Sequence, residues 1–227
     1  MSSSSCGHGS LIVLFVTHSI LLVRQLPGLT DYAQALDAMR AFNQQRQPDT
    51  QDELWVLEHP SVFTLGQAGL MSHLLANPES IPVIRSDRGG QITFHGPGQI
   101  IFYLLLDLKR HQLTVRQLVN TIEQTVINML DFFAIKAHRV EGAPGIYVEH
   151  AKIAALGLRI QNGYCRHGFS INVDMDMTPF TLINPCGYER LKTTQVKEWY
   201  RGITKEAVIE RVMIELSNLL ELEVKQG

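Results

Sequence analysis

The amino-acid sequence predicts an α/β fold of the α+β type, a mixed sheet with helices packed against it. Two observations carry this. Runs rich in β-branched and aromatic residues follow one another in groups instead of alternating strictly with helices, and three longer segments repeat their apolar residues at helical spacing. With 227 residues, 45% of them hydrophobic and 19% charged, the chain can bury a full core as one domain.

The elements follow in chain order. Residues 11–23 are apolar except for Thr17, His18 and Ser19, which is too short and too interrupted for the roughly 20 residues of a spanning helix. No Lys or Arg precedes that run, as a signal peptide would require. Residues 1–19 therefore read as a loose extension and 20–227 as the single domain, with a first strand near 20–26. Asp31 caps a helix whose apolar side is Tyr32, Leu36, Met39 and Phe42. The polar stretch 43–53 is too short to separate two domains. Strands follow at 54–57 and 61–65 around a turn at His59 and Pro60, and 101–106 is apolar throughout, as in a strand buried on both faces. Thr114 with Gln117 is a capping-box pair opening a helix with the stripe Leu118, Val119, Ile122, Val126, Met129, Leu130 and Phe133. Strands at 145–148, 152–160 and 168–173 come next. A last helix after Thr204 turns Val208, Val212, Leu216 and Leu219 inward.

Composition removes several functions. A net charge of -2 gives no broad positive field, so nucleic acid is not an expected partner, nor is a membrane. Three cysteines, Cys6, Cys165 and Cys186, are an odd number in a chain that needs no staples, which fits a reducing compartment and a cytoplasmic protein. Cys165 with His167 has neither the ligand number nor the spacing of a zinc site, so no metal is expected.

Chemistry concentrates in three segments. In Arg88-Gly89-Gly90-Gln91-Ile92-Thr93-Phe94-His95-Gly96-Pro97-Gly98-Gln99 the paired glycines permit close backbone approach and Gly96-Pro97-Gly98 a stiff turn, which suits a pocket wall as well as two ordinary hairpin turns. Lys152 opens the apolar run Ile153-Ala154-Ala155-Leu156-Gly157-Leu158, so its ammonium either sits near a buried site or reaches water from a strand end. His167-Gly168-Phe169-Ser170-Ile171-Asn172-Val173 leads to Asn184-Pro185-Cys186-Gly187. There the cysteine is either an accessible thiol in a turn or a small packed hydrophobe.

The ordered set of these motifs resembles the lipoyl(octanoyl) transferase family over about residues 22–219. The resemblance implies the fold of the biotin and lipoate protein ligase catalytic domain. It also implies an N-octanoyltransferase that takes an octanoyl group from octanoyl-acyl carrier protein, holds it as a thioester on Cys186, and delivers it to the ε-amine of a lysine on lipoyl domains of 2-oxoacid dehydrogenases and related proteins. By the same resemblance Lys152 lowers the pKa of Cys186. Substrate contacts would fall on Arg88, Gly89, Gly90, Gln91, Ile92, Thr93, Phe94, His95, Ala155, Leu156, Gly157, Gly168, Phe169 and Ser170, with no cofactor and no metal. The rival readings are an ATP-dependent lipoate ligase of the same fold, a cysteine acyl hydrolase using His95 or His167, and a non-enzymatic binding module.

Overall fold

A computed structural model describes residues 20–78, 80–185 and 191–227. In chain order they form β1 (Ile20–Leu29), α1 (Tyr32–Gln45), β2 (Asp52–Glu58), β3 (Val62–Leu65), β4 (Val83–Arg85), β5 (Ile92–His95), β6 (Gln99–Leu105), α2 (Val115–Phe132), β7 (His138–Val140), β8 (Ala143–Val148), β9 (Ala151–Gln161), β10 (Tyr164–Asn172), β11 (Lys192–Thr193), α3 (Val196–Trp199), α4 (Lys205–Leu220) and β12 (Glu223–Gln226). Single 3-10 turns lie at Met71–His73 and Thr178–Leu182. Among the described residues the large sheet runs β12-β1-β2-β6-β10-β9-β8-β7, with β11 beside β9. It is mixed as predicted: β1 pairs parallel with β2 and β12, and the centre is antiparallel.

The apolar run at 101–106 is explained by its place in the middle of that sheet. Phe102 and Leu104 point to one face, where α2 and α4 deliver Leu118, Ile122, Val126, Val208, Val212 and Leu216. Ile101, Tyr103 and Leu105 point to the other, where α1 delivers Tyr32, Leu36 and Met39. A strand covered on both faces has no polar alternation to show. The helix starts are fixed by side chains: Asp31 accepts from Gln34 N at 3.0 Å, and Thr114 and Gln117 exchange both bonds of a capping box. Each such cap contributes about 1 kcal/mol.

Leu219 departs from the inward stripe and is 38% exposed. The chain reverses at Glu221 in a left-handed conformation, and Leu222 rather than Leu219 closes that end of the core.

A second, three-stranded sheet of order β4-β3-β5 is absent from the sequence reading. The strand expected at 61–65 belongs to it, not to the sheet containing β2. The chain leaves the large sheet at the His59-Pro60 turn and returns at Gly96-Pro97-Gly98. Gly98 has φ +87°, and a Cβ there would lie 1.8 Å from the carbonyl oxygen of Asp174, so no other residue fits. Phe63, Leu65, Ile92, Phe94, Phe180 and Ile183 form a small core beneath this sheet. It holds one wall of the site.

Candidate active site

Between the small sheet and β9 and β10 lies a cavity of about 290 Å³, near the low end of small-molecule pockets. Residues 88–93, His95, 155–157 and 168–170 line it, joined by Tyr32, Ile101, Tyr103, Pro144 and His167. The motif segments, far apart in sequence, thus meet at one space. Phe94 does not. On β5, Thr93 and His95 face the cavity, whereas Phe94 turns the other way, 2% exposed, against Phe63 and Phe180 at ring separations of 5.5 and 5.6 Å.

Arg88 is 8% exposed and clamps its own loop. Its Nη2 donates to the carbonyl oxygens of Thr64 (2.6 Å) and Gln91 (2.8 Å), and its Nη1 to that of Gly89 (2.9 Å). Gly90, at φ +87°, lets the loop turn back over the cavity. Gly89 N donates to Leu158 O at 2.9 Å and ties the loop to β9.

From Arg88 a directed chain of hydrogen bonds runs through the wall. Arg88 Nε donates to Thr64 Oγ1 (3.1 Å), and Thr64 Oγ1 lies 3.3 Å from His95 Nε2. His95 Nδ1 meets Gln99 Oε1 at 2.7 Å, Gln99 Nε2 donates to Asn172 Oδ1 at 2.8 Å, and Asn172 Nδ2 donates to Thr194 O at 2.9 Å. These partners assign His95 the Nδ1–H tautomer, with Nε2 accepting from the threonine hydroxyl. Burial drives the His95 pKa well below its ordinary value, so the ring is neutral and both nitrogens are engaged. A base role for His95, as the hydrolase reading needs, has no free ring nitrogen to use.

His167 sits at φ +61° in β10, which takes it out of the strand's alternation. Cys165 faces the α2 core while His167 reaches the cavity, so the two do not converge on a metal. Among the described residues no group of three His, Cys, Asp or Glu could hold one. His167 Nε2 lies 2.7 Å from Asp87 Oδ1, and Arg166 Nη2 donates to Asp87 Oδ2 at 2.6 Å. Burial pushes the Asp87 carboxyl up, but hydrogen bonds and charge from His167 and Arg166 outweigh it and hold Asp87 well below the usual carboxylate range. Burial lowers the His167 pKa against the pull of Asp87. The Cys165 thiol, fully buried, is pushed up to about 12, which makes it inert as a nucleophile.

Lys152 is 3% exposed, so it does not reach water from the strand end. Its Nζ donates to Pro144 O at 2.8 Å and stands 5.2 Å from the Tyr147 ring centroid. It borders a narrow space of about 10 Å³, room for no more than about one water. Thr93, Gln99, Ser170, Asn172, Phe180, Pro185 and Thr193 are among the other residues that line it. Cys186 and Gly187 lie outside the described residues; the neighbouring Pro185 is buried beside Lys152.

Sequence reasoning missed Tyr32, Thr64, Asp87, Tyr103 and Thr194. The signal for two others was present: Gln99 ends the first motif and Asn172 lies within the third, polar residues among apolar strand positions, as occurs when they are paired inside. For Tyr32 and Tyr103 the apolar periodicity that called them core concealed their second role.

The chain matches the family model described as the lipoyl protein ligase A/B catalytic domain over residues 31–217. It is 54% identical over 200 residues to an octanoyltransferase of Azoarcus sp. (strain BH72), covering 88% of each chain. It is 58% identical over 181 residues to one of Nitrosomonas eutropha, covering 80% of each. Among solved structures, a lipoate-protein ligase A bound with ATP superposes with a TM-score of 0.76 at 15% identity, covering 93% of this chain and 89% of that one. A biotin protein ligase of Aquifex aeolicus in complex with biotin and ATP gives 0.56 at 12%, covering 88% and 70%. These distant likenesses establish the fold alone. The sequence identities go further: the chain belongs to the octanoyltransferases of the lipoyl protein ligase A/B catalytic domain family and is an acyltransferase.

Proposed function

We propose that this enzyme carries out octanoyl transfer in protein lipoylation, moving the octanoyl group from octanoyl-acyl carrier protein through a thioester on Cys186 to a lysine of a lipoyl domain. The observation that carries the reading is the nearness of a largely apolar cavity to the buried side chain of Lys152, which borders the same narrow space as Pro185. An acyl chain in the cavity gains about 0.8 kcal/mol per buried methylene. Its carbonyl then falls at the polar end of the wall.

A free thiol has a pKa of about 8.5, so a nearby cation is needed to populate thiolate at neutral pH. Lys152 supplies it. The thiolate attacks the donor thioester, a new carbon–sulfur bond forms, and the donor sulfur leaves and takes a proton. In the second half-reaction the neutral amine attacks the acyl carbon, the bond to the Cys186 sulfur breaks, the proton released by the nitrogen passes to the departing sulfur, and an amide remains. Thioester exchange is near neutral in free energy and amide formation downhill, so no nucleotide is required.

Intact mass after incubation with octanoyl-acyl carrier protein tests this: the protein gains one octanoyl group, and Cys186→Ser gains none while Cys165→Ala still does. Nucleotide-dependent transfer from free octanoate or lipoate would instead place the enzyme with the ligases of its fold. Free octanoate as the sole product would make it a hydrolase.

A further inference from the structure

On the far side of the Lys152 junction lies a second cavity, about 760 Å³. It shares Phe180, Pro185 and Thr193 with the narrow space, which in turn shares Thr93, Ala155 and Ser170 with the acyl cavity. The three spaces therefore lie in series. An acyl chain that fills the inner one closes that route, so a group that attacks its carbonyl at the junction arrives through the outer groove.

The groove's walls point to what arrives. Leu75, Ile183 and Trp199 provide apolar sides, and Glu198 adds a carboxylate. Glu198 Oε2 accepts from Thr194 Oγ1 at 2.5 Å, and Trp199 Nε1 donates to the same hydroxyl at 2.9 Å. Glu198 Oε1 has no partner among the described residues. Thr194 is 3% exposed, and its backbone N donates to Lys152 O at 3.0 Å, so the carboxylate is anchored to the strand register of Lys152. An aliphatic stem ending in an ammonium matches apolar sides with one free carboxylate oxygen; the uncharged thioester arm of a donor leaves that oxygen unused.

We propose that the outer groove is the entry channel of the acceptor lysine and that Glu198 receives its ammonium. This rests on the reading of Cys186 and Lys152 above. The electrostatics then change sign along the path. The carboxylate attracts the charged amine at the outer end, and the Lys152 cation at the junction disfavours a second positive charge, so the proton is lost on the way in. Lys192, on the exposed rim, is the groove's one cation among the described lining residues.

The test uses octanoylated full-length enzyme, isolated and then mixed with Nα-acetyl-lysine amide, a cationic amine, or with hydroxylamine, which is neutral at pH 7. Glu198→Gln should slow deacylation by the lysine amide about three- to fivefold, the loss of one exposed charge contact. The rate with hydroxylamine should stay within about twofold. Glu198→Lys should slow the lysine amide further. Equal losses with both nucleophiles, or none with either, would overturn the role of Glu198 while leaving the acyl-enzyme intact. A wild-type protein that never acylates would sink both readings.

Discussion

The inner wall and the outer groove both carry polar side chains, yet they use them in opposite ways. Along the wall, Thr64, His95, Gln99 and Asn172 are buried and joined in one direction, each donor to the next acceptor. In the groove, Glu198 is exposed and keeps one oxygen without a partner among the described residues. A polar group whose bonds are all spent on its neighbours fixes shape; only one with capacity left can read a substrate. On this view the buried His95, with both ring nitrogens engaged, is architecture, although its residue type makes it the first suspect for chemistry. The surface glutamate is the group that senses the partner.

The largest expected effect lies where the two regions meet. Lys152→Ala should raise the apparent pKa of Cys186 and slow its alkylation by iodoacetamide at pH 7 about tenfold or more, since it removes a cation from the thiolate's surroundings. Raising the pH should restore labelling more fully than acyl transfer, because the second half-reaction also requires a proton acceptor. Labelling curves that coincide with wild type would take activation away from Lys152.

A change inside the wall should instead cost stability. Gln99→Leu strands the His95 Nδ1–H and Asn172 Oδ1 without partners, at about 2 to 4 kcal/mol in urea unfolding. Glu198→Gln, measured the same way, should stay within about 0.5 kcal/mol. Equal penalties for the two would erase the distinction between wall and groove.

A last effect is a pH dependence on the wall side. Burial lowers the His59 pKa from 6.5 to about 4, with both ring nitrogens held by Thr30 O and the Tyr103 hydroxyl. A histidine depressed in the folded state lets the unfolded chain bind protons first, so stability is complete above pH 6.5 and falls as the pH drops toward 4. His59 alone should account for about 2 to 3 kcal/mol of that loss. The carboxylate of Asp87, held well below its usual range, stays ionised through this window and does not contribute to the slope. A flat urea midpoint between pH 7 and pH 4.5 would refute the neutral, buried assignment.

The three long helices and the inner strands of the large sheet were legible because their cause is local: Asp31 and Thr114 mark starts, and Leu118 to Leu130 repeat at the period of a helix; the short edge elements β7, β11, β12 and α3 carry too few residues to show a period. The small sheet was not, since β4 is three residues long and Ile92–His95 lies inside a glycine-rich motif whose turns dominate its pattern. At the site, the motif order told which segments converge, but not which side chains within them face inward. Phe94 shows why: a run of eight consecutive residues, 88–95, cannot all face one space once part of it becomes a strand.

Leu57 and Ile101 sit opposite each other in the β2–β6 ladder, although the whole small sheet intervenes between them in the chain. Residues 59–98 are thus an excursion that departs and re-enters at one point, its neck held by Gly98 N donating to Glu58 Oε2 at 2.6 Å. Because the ends already lie side by side, the length of the excursion adds little to the entropy of closing it, growing only with the logarithm of the residue number. The roof of the acyl cavity is therefore an insert into a hairpin. Its size can change through insertions or deletions without asking the main sheet to re-register.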